Sequence, residues 1–124
     1  SIAFETAASA TPQIKGSKVK ALAITTAKRS PSMPDLPTVA ESGLPGYDVV
    51  TWYGMLAPAG TPKDIVNRMN AEVHKILQTP EFKQRLADIS SEPGDTTPEQ
   101  FAELIKNDTV KWAKVVKESG ATID

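Results

Sequence analysis

The 124-residue sequence has no cysteine and one histidine. The first absence excludes disulfides and thiolate metal sites, and it leaves the redox compartment open. The second leaves little from which to build a histidine-centred metal site or a catalytic base. Neither sign of charge is in excess: 14 Lys and Arg face 15 Asp and Glu, for a formal net charge of -1. The sequence therefore carries neither the basic stripe of a nucleic-acid binder nor an acidic tail. No apolar run approaches the roughly 18 residues of a membrane span. The opening Ser-Ile-Ala-Phe-Glu lacks both Met and a basic n-region, so no signal peptide is expected in this chain, and a mature, processed or truncated form is. The composition, 40% hydrophobic and 23% charged, is ordinary for a soluble protein, and the length fits one domain or part of a larger one.

Proline, by contrast, is abundant, with ten residues that fall in the joints between elements. Ile2-Ala3-Phe4 has the bias of a strand end, with Glu5 to Ala8 as a tight turn. Ser9 or Thr11 is placed to cap a short helix, with Pro12 in its first turn and Gly16 at its end. Val19 to Thr26 reads as a second strand, apolar on both faces at its centre, which suits a parallel strand covered on both sides. Strand, helix and strand make a βαβ unit. Pro31, Pro34 and Pro37 stiffen the connector from Lys28 to Pro37, and Thr38 to Ser42 is expected to make one helical turn. A third strand runs from Tyr47 or Asp48 through Ala57. Thr51 to Pro62 is the pivot of the chain, because helices dominate beyond it.

Three helices are predicted there, opened by Thr61-Pro62, Thr79-Pro80 and Thr97-Pro98. Each pair sets a capping hydroxyl before a proline at the first helical position. Thr97 and Gln100 also have capping-box spacing. Ile65, Val66, Met69, Val73, Ile76 and Leu77 share one helix face; Phe101, Leu104, Ile105, Trp112, Val115 and Val116 share another. Both stripes have the width of helices packed on a sheet. The predicted class is α/β.

Residues with chemical potential are scattered. His74 lies on the polar face of its helix without neighbouring ligands, so neither metal binding nor catalysis is expected of it. No Gly-x-Ser-x-Gly elbow or nucleophile–base pair is present. Glu99 and Glu103 read as a solvated face. Lys28-Arg29 is placed to attract an anion or to pair with Asp35 or Glu41. Trp52 and Tyr53 alternate faces if the segment is a strand, so either both pack or one lines a cleft. Glu5-Thr6 is the better site candidate, a polar pair directly after a strand, at the edge where open α/β sheets bind ligands.

Longer patterns carry a resemblance. Lys28-Arg29-Ser30-Pro31, then Pro34 through Tyr47, Trp52-Tyr53-Gly54, Ala57 through Pro62 and the closing Trp112 through Ala121 together resemble the substrate-binding receptors of tripartite tricarboxylate transporters, the Bug family. The resemblance spans essentially the whole chain and implies the C-terminal half of a two-lobed, type II periplasmic-binding-protein fold, with short parallel strands and three Thr-Pro-capped helices. Residues 1–47 would end the second lobe, 48–61 would be a hinge or crossing strand, and 62–124 would complete the first lobe. It further implies a bacterial periplasmic receptor that captures a small organic acid, such as a di- or tricarboxylate, and passes it to membrane permease subunits. No enzyme activity, cofactor, metal or nucleic acid enters this picture. By position, the ligand-facing turn is Phe4, Glu5, Thr6 and Ala7, with Thr25 beside it, and Trp52, Tyr53 and Gly54 form the hinge. Glu5 stands where Asp is usual. With the first half of the receptor missing, a homodimer or domain swap is expected. The alternative is a non-catalytic oligomeric interaction module that reuses the scaffold without binding a ligand.

Overall fold

A computed structural model describes residues 1–122. It has four helices: α1 (Ala7–Lys15), α2 (Lys63–Leu77), α3 (Pro80–Asp88) and α4 (Pro98–Ser119). The chain forms two compact units, one of Ser1–Leu56 and Ile76–Pro93, the other of Ala57–Lys75 and Gly94–Asp124.

Two of the three Thr-Pro starts cap as predicted. The Thr79 hydroxyl accepts from the Phe82 N–H, and Thr97 and Gln100 form the reciprocal capping box at 3.2 and 2.9 Å. Thr61 departs from the expectation. Its hydroxyl donates to the Pro58 carbonyl at 2.8 Å, inside a turn closed by Thr61 N–H to Pro58 carbonyl with Gly60 at φ 83°. That is the geometry of a turn requiring positive φ at its third residue, and it takes the hydroxyl away from α2. Pro62 then supplies the carbonyl that receives Ile65 and Val66.

The start of α1 also differs. Thr6, extended at φ -67° and ψ 148°, is the N-cap, and Ala7 is already helical, so neither Ser9 nor Thr11 caps. Pro12 sits inside the helix. Thr11 is buried instead, its hydroxyl donating to the Ala7 carbonyl at 2.7 Å and meeting the Ser90 hydroxyl at 2.9 Å.

The predicted strands are the main correction. Among the described residues none of Ile2–Phe4, Val19–Thr26 or Tyr47–Ala57 is a strand, and the pairing reduces to one parallel bridge, Ile24 with Thr38. In it the Ile24 N–H donates to the Pro37 carbonyl and the Val39 N–H donates to the Ile24 carbonyl, both at 2.9 Å. The β-branched and aromatic residues of these segments favour extended backbone, but a strand exists only where a second segment completes the ladder.

The helix stripes lack the expected sheet beneath them. No hydrophobic side chain is buried among the described residues, and Ile65, Met69, Ile76, Val110, Val115 and Val116 are all exposed. In the second unit the inward-turned positions, Val66, Asn70 and Val73 on α2 and Phe101, Leu104 and Ile105 on α4, reach only half-burial. One polar tie holds there, from the Asn70 side-chain amide to the Thr96 carbonyl at 3.1 Å. The chain exposes 9966 Å². A compact monomer of its 13.3 kDa would expose about 6,500 Å², and even two separate compact halves about 7,800 Å². An excess of about 2,200 Å² thus remains whatever the placement of the two units, more than the ~800 Å² that one partner contributes to a standard interface.

Candidate functional site

The segment ahead of α1 is organised by helix capping. Thr6 accepts from the Ser9 N–H at 3.4 Å, and its carbonyl receives the Ala10 N–H at 3.0 Å. Glu5, one residue earlier and exposed, folds its side chain onto the same turn, where its Oε2 accepts from the Ser9 hydroxyl at 2.8 Å. The Ser9 oxygen in turn accepts from the Thr6 hydroxyl at 3.3 Å. Phe4 is 77% exposed, and Ala7 opens the helix. Four predicted ligand residues therefore lie on one capped turn whose hydroxyls and carboxylate are linked.

Thr25 is placed separately. It follows the bridge residue Ile24, is half-buried, and its carbonyl receives the Val49 N–H at 2.9 Å. Among the described residues no hydrogen bond joins it to the Phe4–Ala7 turn. The predicted hinge residues are exposed, Tyr53 at 83%.

Of the two pairings open to Arg29, the structure forms the one with Glu41. The Arg29 Nε lies 3.2 and 2.9 Å from the two Glu41 oxygens, and its Nη1 donates to the Pro34 carbonyl at 3.1 Å. The Thr38 N–H donates to Glu41 at 2.8 Å, and the Glu41 N–H returns the bond to the Thr38 hydroxyl at 3.0 Å. The Thr38 N–H first, and the Arg29 guanidinium after it, hold the Glu41 carboxyl below the usual glutamate range. This reciprocal pair is legible as Thr-x-x-Glu, capping-box spacing that the expected single helical turn at 38–42 does not exploit. Asp48 is a further residue that the sequence does not single out; its Oδ1 accepts from the Ala27 N–H at 3.0 Å.

A shallow cavity of about 310 Å³ opens between Pro31 and Ser32 of the connector, Lys83 and Ala87 of α3, and Glu92-Pro93. It holds none of the predicted ligand residues. Among the described residues no three His, Cys, Asp or Glu side chains gather as a metal site, and no helix is long and apolar enough to cross a membrane.

Solved structures similar to this chain include a periplasmic binding protein and two proteins of Rhodopseudomonas palustris. R. palustris Rpa4515 with adipate is 35% identical, with a TM-score of 0.79 over 91% of this chain and 38% of that one. The periplasmic binding protein BugD is 39% identical, with a TM-score of 0.76 over 90% and 38%. MatC from Rhodopseudomonas palustris with bound malate is 37% identical, with a TM-score of 0.75 over 89% and 38%. The chain thus shares the fold of periplasmic binding proteins over the part it covers. Residues 1–121 match the tripartite tricarboxylate transporter family receptors, and the chain belongs to that family. Its relatives include a UPF0065 protein from the tcbD-tcbE intergenic region of Pseudomonas sp. (strain P51), 40% identical over 85% of this chain and 32% of the relative. Protein BugT of Bordetella pertussis is 33% identical over 89% of this chain and 34% of its own length. The chain spans about a third of the length of these two relatives.

Proposed function

We propose that this chain is the C-terminal portion of an extracytoplasmic solute-binding receptor, which captures a small organic acid such as a di- or tricarboxylate for a tripartite tricarboxylate transporter. The observation that carries the reading is the family match over residues 1–121, together with similarity to receptors solved with adipate and malate. On this reading the protein works in the periplasm, delivers its ligand to membrane permease subunits and performs no catalysis. The type II two-lobed architecture, with residues 48–61 crossing between lobes, belongs to the same proposal. Of the three points at which the chain passes between its compact units, the one at Leu56 and Ala57 falls within that crossing, while Ile76–Pro93 groups with Ser1–Leu56.

The Phe4–Ala7 turn is the proposed ligand contact. Helix N–H groups and hydroxyls gathered there suit a carboxylate. The excess exposed surface is the second support: strands without ladders and helix stripes without a sheet fit elements whose covering lies in the rest of a receptor. Calorimetric titration of the full-length gene product with dicarboxylates, including adipate and malate, tests the reading. Saturable binding with 1:1 stoichiometry is expected, and silence across the panel would sink it. The same exposed surface also favours a second reading, an oligomeric interaction module without a ligand, which predicts a stable homo-oligomer and no heat with any acid.

A further inference from the structure

Helices α1 and α3 end in the same way, with one difference. Each closes on a serine in the left-handed region, Ser17 at φ 56° and Ser90 at φ 53°. The Ser17 N–H donates to the Ile14 carbonyl and the Lys18 N–H to Gln13; the Ser90 N–H donates to Ala87 and the Ser91 N–H to Leu86. This is the Schellman pattern, whose left-handed residue is usually glycine, and a serine there carries a conformational cost. Ser17 is exposed and its side chain makes no hydrogen bond among the described residues. Ser90 is half-buried, and its hydroxyl lies 2.9 Å from that of Thr11, 79 positions away in the sequence. Thr11 is 5% exposed, and its single hydroxyl proton goes to the Ala7 carbonyl at 2.7 Å. The Ser90 hydroxyl therefore donates to Thr11, and two bonds run in one direction from the end of α3 to the first residue of α1. Pro12 makes that first turn depend on them. It has no N–H for the Ala8 carbonyl and its ring crowds that group, so the helix ladder is interrupted where Thr11 adds a bond back to Ala7.

We infer that Thr11 and Ser90 are positioning residues for ligand binding: their buried hydroxyl pair ties the first turn of α1, and with it Phe4–Ala7, to the end of α3 in the geometry that binds. Without the pair the turn samples other positions, and the apparent affinity falls with the fraction that stays competent. This inference rests on the proposed function, because it takes the Phe4–Ala7 turn as the ligand contact.

The experiment pairs calorimetry of the full-length gene product, titrated with adipate and malate, with amide hydrogen exchange of the unliganded protein. Ser90→Gly removes the hydroxyl but suits the left-handed backbone. Its melting temperature is expected to stay near wild type, the relieved backbone offsetting the lost bond, while affinity falls about three- to tenfold, the worth of one neutral hydrogen bond. Thr11→Val, which keeps the shape, is expected to weaken binding to a similar extent, and Thr11→Ser, which keeps the hydroxyl, to restore it. Ser17→Gly makes the same backbone change at the end of α1 and is expected to raise the melting temperature with affinity unchanged. The Ser9 and Ala10 amides, which bond to the Thr6 carbonyl, are expected to exchange faster in Ser90→Gly and not in Ser17→Gly. Four results each overturn the inference and leave the receptor reading standing: wild-type affinity in Ser90→Gly, an equal loss in Ser17→Gly, no recovery in Thr11→Ser, or unchanged exchange at Ser9 and Ala10 in Ser90→Gly. Silence of the wild type with every dicarboxylate, adipate and malate included, overturns both.

Discussion

Replacing Leu56 by alanine is expected to have two different costs, depending on what surrounds it. In the 124-residue chain Leu56 is 75% exposed, so only about a quarter of its side chain is withdrawn from water. Full burial of a leucine is worth about 1.5–3 kcal/mol, which puts the loss in this chain below about 0.8 kcal/mol. In the full-length receptor proposed above, the crossing segment is covered, and the same change removes a buried side chain, at about 2–5 kcal/mol. Urea unfolding of both proteins, wild type and Leu56→Ala, measures the contrast. With a slope of about 1–3 kcal/mol per molar urea, the midpoint shifts by well under ~1 M in the short chain and by about 1 M or more in the full-length protein. A shift in the full-length protein no larger than in the short chain would refute the covering argument. The exposure of Tyr53 and Met55, 83% and 67%, makes them controls expected to follow the same pattern.

Thr97→Ala removes one half of the α4 capping box and is expected to lower stability by about 0.5–2 kcal/mol, read as loss of helical ellipticity on urea titration; an unchanged midpoint would contradict the cap. Glu41 has its carboxyl held low by the Thr38 N–H and Arg29, so its contribution is present above the unfolded glutamate range, about 4.3, and is lost as pH falls through the lower folded value. Wild type and Glu41→Gln are therefore expected to converge in melting temperature on acidification below about pH 4, and a gap that widened there would reverse the sign. The excess exposed surface, with large hydrophobic side chains such as Ile2, Phe4 and Leu56 in the open, predicts concentration-dependent self-association of the isolated chain. Light scattering should give masses above 13.3 kDa that fall on dilution, whereas a monomer at every concentration would count against it.

Helix ends are legible in the sequence because their signals are local. Thr79-Pro80 and Thr97 with Gln100 satisfy their amides within three residues, and Gly120 ends α4 at φ 67°. The α1 start is harder to place because Pro12 suggests a first turn, although the hydroxyl that caps belongs to Thr6, six residues earlier. Thr61 does not cap for a related reason: two acceptable partners are within reach, and the Pro58 turn takes the hydroxyl. Strands are over-read because propensity in Tyr47–Ala57 says nothing about where a pairing segment lies. The candidate turn is legible as a location, but the Ser9 link that orients Glu5 follows from the helix start and cannot be seen before that start is placed.

The lone bridge at Ile24 has a consequence for how this sequence can vary. Its backbone bonds to Pro37 and Val39 bracket Thr38, whose side chain is 1% exposed and whose amide and hydroxyl complete the pair with Glu41. In extended backbone a shift of one residue turns each side chain to the opposite face. The stretch from Ala27 to Pro37 therefore behaves as a measured spacer. Substitutions at exposed positions such as Ser32 or Asp35 leave the count intact, but a single-residue insertion or deletion would change the register of the bridge and part Glu41 from Arg29, while the Thr38–Glu41 pair, local to residues 38–41, would shift as a unit.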